Sequence, residues 1–290
     1  VARQSIVLLK NKDKLLPLKK DIRTLAVIGP NADNVYNMLG DYTAPQADGT
    51  VVTVLDGIRQ KVSKGTRVLY AKGCAVRDSS RTGFKDAIET ARNADAVVMV
   101  MGGSSARDFS SEYEETGAAK VTINQISDME SGEGYDRATL HLMGRQLELL
   151  EEISRLGKPV VLVLIKGRPL LMEGAIQEAE AIVDAWYPGM QGGNAVADVL
   201  FGDYNPAGRL TLSVPRSVGQ LPVYYNTRRK GNRSRYIEEP GTPRYPFGYG
   251  LSYTTFSYTD MKVQVTEGSD DCRVDVTVTI QNQGTADGDE

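Results

Sequence analysis

Short unbroken apolar runs alternate, as far as Leu212, with stretches in which apolar side chains recur every third or fourth position. Thr24-Leu25-Ala26-Val27-Ile28, closed by Gly29-Pro30, predicts a buried strand. So does the run Ala96 to Met101 between Asp95 and Gly102-Gly103; Pro159 to Ile165 and Ala181 to Trp186 also read as strands, Arg67-Val68-Leu69-Tyr70 is a further strand candidate, and Gly208 to Leu212 reads as a terminal strand. Runs apolar on both faces belong in a parallel sheet covered on both sides. Pro159 to Ile165, the most hydrophobic, is placed at the centre of that sheet. Helical periodicity covers Val54 to Val62, Phe84 to Arg92, Gly144 to Leu156 and Gly192 to Phe201, the third stopped by Gly157. Val1 to Lys10 predicts one short helix or strand leading into Leu15-Leu16-Pro17-Leu18. The recurring order of strand, helix and strand implies right-handed crossovers. The fold class is α/β, a mostly parallel sheet sandwiched between helices.

After Pro215 the pattern changes. Residues 217–255 carry prolines, glycines and tyrosines without periodicity and read as an extended segment wrapping a surface. Beyond it, Lys262 to Val265 and Val274 to Ile280 alternate with period two, the signature of half-exposed antiparallel strands. Two strands do not make an independently stable β unit, so this end reads as truncated. The organisation is therefore an α/β sandwich over 1–216, a wrapping linker over 217–255 and the start of a small β domain over 256–290.

Composition narrows the functions. With 290 residues, 41% hydrophobic and 24% charged, the chain can bury a sizeable core. A net charge of -3 provides no basic field for nucleic acid or for anionic membranes. The cluster Arg228-Arg229-Lys230, with Arg233 and Arg235, reads as a solvated loop. No apolar run approaches the roughly 20 residues that span a bilayer. No signal peptide is visible, and the opening without Met, in mid-pattern, points to a start further upstream. Cys74 and Cys272 fit neither a disulfide framework nor a zinc spacing. The single histidine, His141, lacks an accompanying Gly-x-Ser-x-Gly elbow and reads as a partly packed residue at a helix start.

The long segment from Gly103 to Gly134 leaves from the carboxyl end of a central strand. Ligands collect there in open α/β sheets, and irregular segments longer than about 15 residues are commonly functional. It and its exit carry Asp108, Glu112, Glu114, Glu115, Asp128, Glu130, Glu133 and Asp136, most of which read as solvated charges. Glu133 stands apart because Gly132 and Gly134 free the backbone on either side, presenting a carboxyl at a tip that a large ligand can approach.

Ordered blocks along the chain carry a family resemblance. They include Ser5 to Asn11 with Leu15 to Leu18, Ala26 to Ala32, Gly157 to Val161 with Gly167-Arg168-Pro169-Leu170, and Ala185 to Gly189 with Gly192-Gly193. Further along come Asp198 to Asp203, Asn205 to Leu210 and, most distinctive, Tyr245 to Phe256. From Ser5 onward the chain resembles the second domain and the start of the third, fibronectin type III-like domain of family 3 glycoside hydrolases, the β-glucosidases and β-xylosidases.

The resemblance implies a retaining mechanism. An aspartate of an N-terminal (β/α)8 barrel is then the nucleophile and a glutamate on a second-domain loop the general acid/base. The block Ser131 to Arg137 matches that loop, which assigns Glu133 the acid/base role, with Glu130 as fallback. Asp136 and Arg137 are expected to pair and hold the loop. Ser104, Ser105, Arg107, Asp108 and Tyr135 are candidate contacts to an outer sugar subsite. No cofactor and no metal are implied.

No barrel precedes Val1, so the nucleophile is expected to be missing and the chain alone inactive. The expected partners are β-linked glucosides, xylosides or oligosaccharides and the barrel of the same polypeptide, in a periplasmic or extracellular setting. Two rival readings are a carbohydrate-binding or scaffolding module and a nucleotide or phosphate enzyme built on the parallel sheet. The second lacks both a Gly-x-Gly-x-x-Gly turn and a Walker motif. Asn232-Arg233-Ser234 fits a glycosylation sequon, and glucose against xylose is not written in these residues.

Overall fold

The computed structural model describes residues 1–106, 115–116, 128–171, 173–226, 236–267 and 272–290. Its elements in chain order are α1 (Ala2–Ser5), β1 (Val7–Asn11), β2 (Thr24–Ile28), α2 (Val54–Lys61), β3 (Arg67–Ala71), α3 (Phe84–Arg92), β4 (Ala96–Gly102) and α4 (Gln146–Ser154). There follow β5 (Val160–Ile165), α5 (Glu173–Glu178), β6 (Ala181–Trp186), α6 (Gly192–Leu200), β7 (Phe256–Glu267) and β8 (Cys272–Asn282). Six strands form one sheet in the order β1-β6-β5-β4-β2-β3. Every pairing is parallel except β1 with β6. The strand read as central, β5, lies between β6 and β4, as expected.

Alternate residues of each strand feed two separate cores. Leu25, Val27, Val98, Val100, Val161, Val163 and Val183 pack with α2 and α6 on one face. Ala26, Ile28, Val97, Met99, Met101, Leu162, Leu164 and Ile182 pack with α3, α4 and α5 on the other. Both faces are dry, which is why these strands read as unbroken apolar runs. Thr53 caps α2 by accepting from the Asp56 backbone N–H at 3.2 Å. Where α2 and α6 meet, a side-chain carbon on Gly57 would lie 2.1 Å from the Gly193 carbonyl oxygen. The two helices therefore touch backbone to backbone.

Three expectations are corrected. Val1 to Lys10 holds two elements, α1 and β1, and β1 runs antiparallel along the outer side of β6. Gly208 to Leu212 is not a strand of the sheet, because β1 already fills the edge it would have joined. It pairs instead with the wrapping segment, the Leu210 N–H reaching the Tyr249 carbonyl at 2.9 Å. The hairpin β7–β8 is antiparallel as expected, yet its apolar face, with Val263 opposite Val276 and Val265 opposite Val274, is more than half exposed. Nothing among the described residues covers that face. The short α5 was not anticipated, because only Ala175 of its residues is buried and its sequence carries no apolar stripe.

The wrapping segment is fastened by tyrosines. Tyr249 donates its phenol to the Leu9 carbonyl at 3.2 Å and Tyr253 donates to that of Val199 at 2.7 Å. The Leu251 N–H donates to the Leu8 carbonyl of β1 at 2.8 Å.

Candidate active site

Beyond the carboxyl ends of β2, β4, β5 and β6, a buried polar network fixes the point at which the long loop departs. Asn31, just past β2, donates to the carbonyls of Gly103 at 3.0 Å and Ile165 at 3.2 Å. Asn37 donates to the Asn31 side-chain oxygen at 2.7 Å, and the Ser104 hydroxyl donates to that of Asn37 at 2.6 Å. From the other face, Gln146 at the start of α4 both donates to and accepts from the Gly102 backbone at 2.9 Å. Buried polar groups need such partners. Ser104 and Ser105 are both buried. The Ser104 side chain thus supports the loop's departure, and neither hydroxyl faces solvent, that of Ser105 having no hydrogen-bond partner among the described residues.

The chain returns onto its own departure point. Asp128 accepts from the Val76 and Arg77 backbone N–H groups at 3.1 and 3.3 Å, and the Arg77 guanidinium donates to the Met129 carbonyl at 2.8 Å. The Glu130 and Ser131 N–H groups then donate to the Ser104 carbonyl at 2.8 and 3.2 Å. The loop is closed at its neck.

Glu130 points inward. Its side chain is 1% exposed and 2.5 Å from the Arg137 guanidinium, itself 6% exposed, with Arg168 at 4.0 Å. A side-chain carbon on Gly103 would lie 2.0 Å from Glu130 Oε1, so the carboxyl is pressed against the chain leaving β4. Arg137 also donates to the His141 carbonyl. Its acidic partner is Glu130 and not Asp136, which is exposed. Side chains of consecutive residues diverge, and the buried carboxyl needs the cation more.

Glu133 occupies the opposite situation. It is exposed at the tip of a turn, between Gly132 at φ +109° and Gly134 at φ +81°. A side-chain carbon on Gly132 would meet the Met129 methyl at 2.6 Å and the Asp41 carboxylate at 2.7 Å, so both conformation and space demand glycine there. The Tyr42 phenol donates to Glu133 Oε2 at 2.5 Å, and the Glu133 backbone N–H donates to Asp41 Oδ2 at 3.3 Å. Tyr135 is half-buried, its carbonyl accepting from Arg168 at 3.4 Å. Tyr187, at the end of β6, backs both segments. Its hydroxyl lies 3.3 Å from that of Ser131, and a side-chain carbon on Gly40 would strike its ring at 2.9 Å.

Beneath this surface Lys166 and Asp184, both buried, pair at 2.6 Å, and the ammonium stands 3.6 Å above the Trp186 ring. Burial pulls the Lys166 pKa below the ordinary lysine value, with Asp184 opposing that shift. Arg107 and Asp108 lie outside the described residues, as do Glu112, Glu114, the cluster from Arg228 and the sequon at Asn232. Sequence reasoning missed the roles of Asp41, Tyr42, Arg168 and Tyr187. For the last two the signal was present, since each directly follows a glycine or tryptophan at the carboxyl end of a strand.

A carboxyl on a glycine-flanked tip, wetted on one side and hydrogen-bonded by a phenol, can exchange a proton with a ligand lying outside this surface. The glycosyl hydrolase family 3 C-terminal domain matches residues 6–253. The chain belongs to that family. A β-xylosidase of Formosa agariphila is 42% identical over the whole chain, and a periplasmic β-glucosidase of Salmonella typhimurium is 39% identical over 99% of it. A solved β-glucosidase from Erythrobacter marinus superposes on 98% of the chain with a TM-score of 0.80 at 37% identity. In each comparison this chain spans 38% of the relative's length. The parallel sheet between helices, with its antiparallel hairpin, is the fold these family 3 structures share.

Proposed function

We propose that this chain is the part of a retaining, exo-acting β-glycosidase, a β-glucosidase or β-xylosidase, that carries the general acid/base. The observation that supports this is the position of Glu133 at the exposed tip, while Glu130, three residues earlier, is consumed by Arg137. In such a reaction Glu133 protonates the departing glycosidic oxygen as the C1–O bond breaks, then takes a proton from the water that attacks the glycosyl-enzyme. The nucleophilic carboxylate comes from a barrel elsewhere in the polypeptide. Tyr135, half-buried beside the tip, is the described candidate for a contact to an outer sugar subsite. The hairpin β7–β8, whose apolar face is exposed, belongs to a larger β unit whose further strands cover it. No helix among the described residues is long and apolar enough to cross a membrane. A periplasmic or extracellular location fits the relative named as periplasmic.

The reading is tested by turnover. The 290-residue chain alone is expected to leave aryl β-glucosides and β-xylosides intact, while the barrel-containing polypeptide hydrolyses one of them with retention at the anomeric carbon. Turnover by the isolated chain, or inversion by the longer one, would overturn it.

One observation favours a second reading, that of a carbohydrate-binding module. On the wrapping segment Tyr225 and Phe247 stack at 4.1 Å between ring centroids, and both are exposed. Titration of the isolated chain with cello- and xylo-oligosaccharides separates the two, since a binding module saturates without the barrel.

A further inference from the structure

We infer that Asp41 and Tyr42 form a positioning device for Glu133, with Tyr42 holding the carboxyl and Asp41 holding the backbone that bears it. The inference rests on the acid/base reading of Glu133. Its evidence is a set of contacts between two segments 91 residues apart in sequence. The Tyr42 phenol reaches Glu133 Oε2 at 2.5 Å. Asp41 spends its two oxygens on two backbone groups, Oδ1 accepting from the Tyr42 N–H at 2.8 Å and Oδ2 from the Glu133 N–H at 3.3 Å. A single carboxylate thus ties both sides of the contact together.

Backbone conformation supports the same reading. Tyr42 lies at φ +58°, in the left-handed region that non-glycine residues seldom occupy, directly after Gly40 at φ +88° and Asp41. Such a conformation persists only where the surroundings over-determine it. Here the surroundings are Tyr187 behind Gly40, the Thr43 hydroxyl donating to the Gly40 carbonyl at 3.1 Å, and Asp41 on the Tyr42 N–H. Tyr42 itself is 78% exposed, so its ring is not held there by burial. The geometry is spent on aiming a phenol at Glu133.

A glutamate at an exposed tip otherwise samples several rotamers, and a displacement near 1 Å at a reacting group costs about a hundredfold in rate. The phenol restricts that freedom. When Glu133 gives its proton to the glycosidic oxygen, the carboxylate left behind keeps the Tyr42 hydrogen bond, and it is this bond that directs the second oxygen toward substrate. Tyr42 is thereby a positioning residue, touching Glu133 and exchanging no proton with the sugar.

The test uses the barrel-containing polypeptide with Tyr42→Phe, Asp41→Ala and Glu133→Ala, each assayed on an aryl β-glycoside with a good leaving group and on one with a poor leaving group. Tyr42→Phe, which removes one exposed oxygen and leaves the fold intact, is expected to lower kcat/KM for the poor leaving group roughly 10- to 100-fold. For the good leaving group the loss is expected to stay within about threefold, since little protonation is needed there. Azide does not rescue Tyr42→Phe, because the acid is still present. Asp41→Ala shows the same leaving-group dependence. If Glu133→Ala shows that dependence and Tyr42→Phe does not, the positioning role is refuted while the acid/base reading stands. If Glu133→Ala itself falls equally on both substrates, the acid/base reading fails and the positioning role fails with it.

Discussion

Replacing Arg137 by Met, with Glu130 left in place, separates a structural glutamate from a chemical one. Glu130 is 1% and Arg137 6% exposed, and their charged atoms lie 2.5 Å apart. Removing one member of a buried pair strands the other charge, at about 3–5 kcal/mol. The lost bond from Arg137 to the His141 carbonyl adds about 1 kcal/mol. Roughly 4–6 kcal/mol corresponds to three to four decades in the folding equilibrium. The exposed pair Arg92–Glu89, at 59% and 58% exposure, supplies the contrast, since Arg92→Met is expected to cost under about 0.5 kcal/mol. Because Trp186 is the chain's single tryptophan and ends β6 beside this neck, urea unfolding can be followed by its fluorescence. Glu130→Leu combined with Arg137→Met should recover part of the loss, because the buried carboxylate leaves together with its main cation while Arg168, 4.0 Å from Glu130, loses its counter-charge. If Arg137→Met costs no more than Arg92→Met, or if the two losses at the neck simply add, Glu130 is not a buried structural partner and returns as a candidate for the chemistry.

Two further outcomes follow from the charge and thiol environments. The ammoniums of Lys20 and Lys61 beside Asp203 hold its carboxyl below the ordinary aspartate pKa. Its contribution is therefore fully present above the unfolded-state pKa of about 3.9 and is lost as pH falls through the lower folded value. Asp203→Asn, at a partly exposed site, should cost about 0.5–1 kcal/mol at neutral pH, and wild type and variant should converge in stability in acid below that window; a difference that grows on acidification contradicts this. Burial pushes the Cys74 thiol up to about 12, whereas Cys272 is exposed. A thiol reagent at pH 8 should modify one cysteine in the native chain and two after unfolding, and fast native labelling of Cys74 would show that the α3–α4 face is open.

Much of the sheet was legible because its inner strands, β2, β4, β5 and β6, are buried on both faces. The runs at Thr24, Ala96, Val160 and Ala181 could hardly be anything else, and the stripe of α3 marked its own ends. What failed to read out locally depended on who occupies which edge. Gly208 to Leu212 has strand composition, but β1 had already taken the open side of β6, and no local pattern announces that. The hairpin showed the right period with the wrong burial, because alternation reports which residues share a face and not whether anything lies over it.

At the site, the glycines around Glu133 were the informative feature, since they predict an accessible tip from backbone requirements alone. Charge content did not distinguish Glu130 from Glu133. That distinction comes from Arg137 and Gly103, which close over one carboxyl and leave the other in solvent. Tyr42 was invisible for a simpler reason, because its contact spans 91 positions and rests on a left-handed backbone at a residue type that rarely adopts one.

The central claim is that Glu133 is the general acid/base, and the most direct measurement is Glu133→Ala in the barrel-containing polypeptide, assayed with and without azide on aryl β-glycosides of good and poor leaving group. The account predicts that the first chemical step collapses for the poor leaving group, while the good one still forms the glycosyl-enzyme and is released faster by azide as the glycosyl azide. Equal losses on both substrates, with no response to azide, would contradict it.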